Sequence, residues 1–166
     1  MSKLYIMSGV GFSGKSTLAK KIAEYTGAIL VSQDGLFFEK EKELGIDQDS
    51  DEQWRMLLDM CLERIRQLLS EGKSVVFDNT NTRHQHREEV RQVALATDAE
   101  PIVVFLDTPI EVQKERQERN RITKERHDVK QEYLDQAIAE LEVPGEDENV
   151  RVFKPDTKLS TFLESL

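Results

Sequence analysis

The feature that most constrains this chain is an eight-residue run near its start, Gly9-Val10-Gly11-Phe12-Ser13-Gly14-Lys15-Ser16. It matches G-x-x-x-x-G-K-[ST] at every required position. The apolar residues Leu4-Tyr5-Ile6-Met7 precede it, and a helix-period stretch over 15–25 follows, with Leu18, Ile22 and Tyr25 expected on one face. A loop of this kind needs both neighbours. Gly9 and Gly14 permit backbone geometries that turn successive amides toward one point, and the helix start adds positive potential for phosphate oxygens. Lys15 brings a full positive charge to the β- and γ-phosphates of a nucleotide, and Ser16 offers a hydroxyl to Mg²⁺. The bland alternative is a glycine-rich turn matching by chance.

The rest of the chain alternates short apolar runs with amphipathic ones. Strands are expected at 28–31, 75–77, 102–106 and 150–153, and helices at 51–69, 82–96, from about 110 through Arg119, at 128–141 and at 158–166. Gly27 follows the first helix in the position of a C-terminal cap. Thr108-Pro109-Ile110-Glu111 reads as a capping box. The stretch 34–51 is acidic and has no clean period, and reads as a partly helical, mobile excursion beside the site. The strands are continuous apolar runs, the signature of a parallel sheet covered on both faces. Alternation with helices then gives a three-layer α/β fold. The 166 residues suit one domain spanning 1–166, with a small lid at roughly 114–130.

Charge and cysteine content exclude other classes. Lys plus Arg total 23 against 32 for Asp plus Glu, a net charge of -9, which argues against a general salt-driven nucleic-acid binder. The single cysteine, Cys61, excludes an internal disulfide framework and lies in an apolar stretch expected to be a buried helix face. No apolar run approaches the roughly 18 residues that span a bilayer. The N-terminus leads straight into a strand rather than a secretory signal, so a cytoplasmic protein without membrane or obligate protein partners is the expectation.

Two carboxylates stand where ligands of open α/β sheets bind, beyond the carboxyl ends of strands: Asp34 after the second and Asp78 after the third. One could take a proton from an attacking hydroxyl and another could hold the water shell of Mg²⁺. The competing readings are a helix cap for Asp34 and an Asx turn with Asn79 for Asp78. Asp98 and Asp107 read as loop and helix-start residues. Arg116, Arg119, Arg121 and Arg126 crowd a later segment, where a closing lid could stabilise a transferring phosphoryl group. Interleaved Glu111, Glu115, Glu118 and Glu125 allow an ordinary solvated face instead. Arg83 and Arg87 lie near the expected crevice and could meet an anionic acceptor. His84, His86 and His127 do not make a metal set.

The loop, Asp34, the run Asp78-Asn79-Thr80-Asn81 with Arg87 after it, and the segment from Arg116 to Arg126 closing on Glu142-Val143-Pro144 together resemble the small P-loop kinases. That group includes bacteriophage-type 5′-polynucleotide kinases and zeta-toxin-like relatives. The resemblance runs from about Leu4 to Pro144. It implies a five-stranded parallel sheet of order 2-3-1-4-5 and a nucleotide, ATP, bound by Gly11, Phe12, Ser13, Gly14, Lys15, Ser16, Thr17 and Arg116. It implies Mg²⁺ held at Ser16 and Asp78, Lys15, Arg119 and Arg126 acting on the phosphates, and Asp34 as the base for the acceptor hydroxyl. Asp34, Asp78, Thr80 and Arg87 would then face the acceptor. Polynucleotide kinases usually carry an arginine shortly after that base. Here Gly35-Leu36-Phe37-Phe38-Glu39 follows, and no arginine comes before Arg55. Two acceptor classes therefore stand side by side: a polynucleotide or nucleotide 5′-hydroxyl, and a small molecule such as an antibiotic, sugar or nucleotide-sugar. An ATPase or nucleotide switch with no acceptor is the third reading.

Overall fold

The computed structural model of this chain describes residues 1–47 and 50–166. Five strands form one sheet in the order β2-β3-β1-β4-β5, every pairing parallel. They are β1 Lys3–Ser8, β2 Ile29–Ser32, β3 Val75–Asp78, β4 Glu100–Leu106 and β5 Val150–Phe153. The helices are α1 Lys15–Thr26, α2 Gln33–Leu44, α3 Asp51–Ser70, α4 His84–Leu95, α5 Ile110–Thr123, α6 Gln131–Ala139 and α7 Leu159–Glu164.

The pleat sorts the core into two layers. Leu4 and Ile6 of β1, with Val75, Phe77 and Val103, pack against Cys61, Ile65 and Leu69 of α3 and Val90 and Val93 of α4. Tyr5 and Met7, with Val76, Ile102 and Val104, pack on the other face against Leu18 and Ile22 of α1 and Phe162 of α7. The chain therefore leaves β1 toward one face and leaves β3, its neighbour in the sheet, toward the other. That divergence opens a crevice beyond their carboxyl ends.

Local chemistry sets the element ends. Gly27 closes α1 in the left-handed region at φ 74°, its N–H reaching the Ala23 carbonyl, as its position in the sequence predicts. Ser50 caps α3 by accepting from the Gln53 N–H. Burial pushes the Cys61 thiol up to about 11, so it is an inert core residue.

Several expectations need correction. Tyr25 is exposed, and only Leu18 and Ile22 of its expected face are buried. The stretch after Asp34 is a regular helix, α2, as far as Leu44, and residues 48 and 49 of the expected excursion lie outside the described residues. There is no capping box at Thr108: α5 starts without a side-chain cap, and the Thr108 hydroxyl instead donates to the Ser13 carbonyl, 2.9 Å away. Among the described residues no helix is long and apolar enough to cross a membrane.

Candidate active site

The loop between β1 and α1 is bound from three sides. Its Gly9 N–H donates to the Thr80 carbonyl at 2.9 Å, tying it to the segment after β3. Thr108 holds it at Ser13, and the Arg116 guanidinium donates to the Phe12 carbonyl at 3.2 Å. Gly14 sits at φ 100°, a backbone that side-chain-bearing residues rarely adopt, and opens α1 directly into Lys15. Gly11 has a different reason: a Cβ there would stand 3.3 Å from Leu134 of α6. Ser16 and Thr17 are exposed in the first turn of α1, and Lys15 is buried, its Nζ donating to the Val10 carbonyl at 3.1 Å.

Asp34 comes to this loop from the first turn of α2. The helix is capped by Ser32, whose hydroxyl accepts from the Gly35 N–H at 3.1 Å. The cap acceptor of α2 is therefore Ser32 and not Asp34, which is exposed in its first turn. Asp78 is buried at the end of β3. The turn acceptor beside it is Asn79, which takes the Thr80 N–H at 2.8 Å. Asn79 also donates to Gln33 at 2.7 Å, and Gln33 donates to the Trp54 carbonyl at 2.8 Å. This partly buried amide relay fixes the start of α2, and hence Asp34, against β3 and α3. Sequence reading missed it, because glutamine and asparagine carry no signal until their partners are known.

Charge links these groups. Burial lowers the Lys15 ammonium below the ordinary lysine range; Asp78 and Asp34 oppose that, and Arg126 adds to it. Desolvation by its surroundings raises the Asp34 carboxyl above its ordinary value; Lys15 pulls it back, Asp78 pushes it further, and Arg126 and His127 pull it down again. Lys15, Asp34, Asp78 and Arg126 thus share one electrostatic neighbourhood at the ends of β1, β2 and β3. Among the described residues no three His, Cys, Asp or Glu side chains are grouped for a metal ion. The donors near the loop are the exposed Ser16 hydroxyl and the buried Asp78 carboxylate, oxygen groups that suit a hard cation carried in with phosphates.

The arginines divide. Arg126 lies over the Phe12 ring, 4.4 Å from guanidinium carbon to centroid. Its backbone is gripped at both ends by the buried Asn120 side chain, which accepts from the Arg126 N–H and donates to its carbonyl, each at 3.0 Å. Arg119, expected on the phosphates, has a side chain 67% exposed that pairs with Glu115 one turn back at 3.4 Å. Arg121 is likewise exposed beside Asp128. Arg87 departs furthest from expectation. It is fully buried, bonded in fork fashion to Glu148 at 2.7 and 3.0 Å, with its remaining terminal nitrogen on the Asn81 and Thr82 carbonyls. With those donors engaged inside the protein, it does not face an acceptor. Thr80 is exposed at the crevice edge.

Residues 4–144 match the AAA domain family. The chain belongs to that family. No curated protein matches this AAA domain protein in sequence. Solved structures do match its fold. A Chloroflexus aurantiacus protein assigned as a kinase superposes with TM-score 0.80 at 16% identity, over 99% of this chain and 96% of that one. A sugar kinase from Janibacter sp. gives 0.70 at 22%, over 99% and 92%. The Mycobacterium tuberculosis APS kinase, in complex with AMPPNP and APS, gives 0.64 at 18%, over 99% and 94%. At these identities the likeness is one of fold, and that fold is P-loop kinase-like, with the sheet order 2-3-1-4-5 that the resemblance implied.

Proposed function

We propose that this AAA domain protein is a P-loop phosphotransferase that moves the γ-phosphate of ATP to the hydroxyl of a small acceptor. The observation that carries the reading is Asp34: relieved of capping duty by Ser32, it stands in the charge neighbourhood of Lys15 and Arg126. A nucleotide switch has no need of a carboxylate there. In the proposed step the acceptor O–H gives its proton to Asp34 while its oxygen bonds to the γ-phosphorus. The bond from that phosphorus to the β,γ-bridging oxygen breaks, and ADP leaves with the electron pair. Lys15, Arg126 and Arg116 meet the negative charge on the phosphates. Loop residues Gly11 to Ser13 contribute amides to the same cradle. When bound, Mg²⁺ neutralises phosphate charge, and Ser16 and Asp78 are the residues that would hold it.

A small acceptor is favoured over a polynucleotide for a specific reason. A nucleic-acid end is commonly held at its phosphate by an arginine or lysine. Arg87 is committed to Glu148, Arg83 pairs with Glu140 at 2.6 Å, and Arg55 is shared between Asp59 and Glu89. A solved sugar kinase shares the fold. The test is label transfer from γ-labelled ATP with Mg²⁺, offered pooled sugars, sugar acids and aminoglycosides beside a 5′-hydroxyl octathymidylate. Label on the small-molecule pool, lost in Lys15→Ala, is expected. Label on the oligonucleotide in preference would overturn the acceptor class, and free phosphate alone would return the site to an ATPase.

A further inference from the structure

Two successive residues of the turn between α5 and α6 reach two different elements. Arg126 lies on Phe12 of the phosphate loop. His127 stacks on Phe38 of α2, ring centroids 4.0 Å apart and planes 17° from parallel. Phe38 follows Asp34 by four residues on one helix, so the two side chains share a face and are separated by about one turn, roughly 6 Å along the axis.

The neighbouring aromatics are arranged for support. Phe37 is buried, stacked on Trp54 at 5.0 Å, and meets Phe38 edge-on at 5.3 Å. Phe38 itself stays 40% exposed. The sequence pair Phe37-Phe38 thus splits into one ring that belongs to the core and one that the core braces at the surface. His127 also lies in the electrostatic surroundings of Asp34. An acceptor that brings a hydroxyl within hydrogen-bond reach of Asp34 can lay its body against this ring pair, one turn along α2.

We propose that Phe38 and His127 form the acceptor-recognising wall of the site and select a polyhydroxylated ring. The inference rests on the phosphotransferase reading above. One face of Phe38 lies on His127, and the part of the ring left exposed is an uncharged aromatic surface suited to the C–H face of a saturated sugar-like ring. His127 adds ring nitrogens that can donate to or accept from a ring hydroxyl. A linear polyol has the same hydroxyls but no rigid face to lay on Phe38, and it gives up more conformational freedom on binding.

The test compares kcat/KM for transfer from ATP to pooled aldopyranoses and to their linear alditols. The proteins are the wild type, Phe38→Ala, His127→Ala and His127→Phe. Circular dichroism melting and AMPPNP calorimetry identify any variant that has simply lost its fold. The wild type is expected to prefer the ring pool by about tenfold or more. Phe38→Ala and His127→Ala are expected to collapse that ratio toward one, and His127→Phe, which keeps a stacked ring, to retain part of it. If the wild type transfers label but the ratio is the same in folded Phe38→Ala and His127→Ala, the inference is overturned and the phosphotransferase reading stands. If the wild type labels neither pool while binding AMPPNP, the inference is overturned, and label on the sugar acids or aminoglycosides of the wider panel keeps the phosphotransferase reading.

Discussion

At Asp34, an exposed residue, desolvation by its surroundings and the charge of Asp78 outweigh Lys15, Arg126 and His127, and the carboxyl sits above its ordinary 3.8. At Lys15 burial wins, and the ammonium sits below its ordinary 10.5. Both shifts narrow the window in which the pair is charged. The working form of Asp34 is the carboxylate, present above its raised pKa. The working form of Lys15 is the ammonium, present below its lowered one. A pH profile of kcat/KM, which reports the free enzyme, should therefore rise on the acid side later than an ordinary carboxylate and fall on the alkaline side earlier than an ordinary lysine. In Asp34→Asn the acid limb should disappear while the alkaline limb persists. An unchanged acid limb in that variant would assign it to another group.

Between elements, the buried Arg87–Glu148 pair joins α4 to the short 3-10 turn Glu146–Glu148 that leads into β5. Burial alone would raise the Glu148 carboxyl. The bonds from Arg87 and from the Gly145 N–H, with the charge of Arg87, outweigh it and hold the group below the ordinary glutamate value. A depressed folded-state pKa contributes stability that is present above the unfolded value and is lost as pH falls through the folded one. The pair therefore survives mild acid and fails only below the usual glutamate range. Glu148→Ala strands a buried guanidinium and should cost about 3–5 kcal/mol in urea denaturation. Arg87→Met combined with Glu148→Leu should recover most of that loss, and a double variant no better than Glu148→Ala would contradict this account.

This pair also marks where the sequence stops being legible at the level of elements. Strands were readable because continuous apolar runs admit little else, and α3 because its apolar positions repeat at helical spacing. Arg87 gave no sign of burial, since its partner lies 61 positions away. Thr108 looked like a cap for the same reason: its true acceptor, the Ser13 carbonyl, is 95 positions distant. Among the arginines, helical phase alone could not separate Arg126 from Arg119, because the choice depends on Asn120 closing the turn onto Arg126.

Across the whole molecule, a net charge of -9 is reconciled with an anionic nucleotide by local concentration of the opposite sign. Lys15, Arg116 and Arg126 gather at the loop while the acidic excess spreads over the outer helices. The sheet order divides the two exits from β1 and β3, α5 and the turn after it lie over the loop, and α2 brings Asp34 from the side. Order of strands came from family resemblance rather than from the residues' own pattern, since apolar runs state which segments are strands and not which are neighbours. The charged cleft was legible as a motif plus two strand-end acids; the aromatic wall at Phe38 and His127 was not, because its rings come from segments 89 positions apart.

The central claim is that Asp34 is the base of a phosphotransferase whose nucleotide site stands independently of it. The most direct measurement is the transfer of γ-label to the pooled sugar acceptors by the wild type and by Asp34→Asn, with the Kd for AMPPNP taken on the same samples. We predict a loss of transfer of about 10²–10⁴-fold in Asp34→Asn with AMPPNP affinity changed by no more than about twofold. Transfer by Asp34→Asn at the wild-type rate would contradict the account.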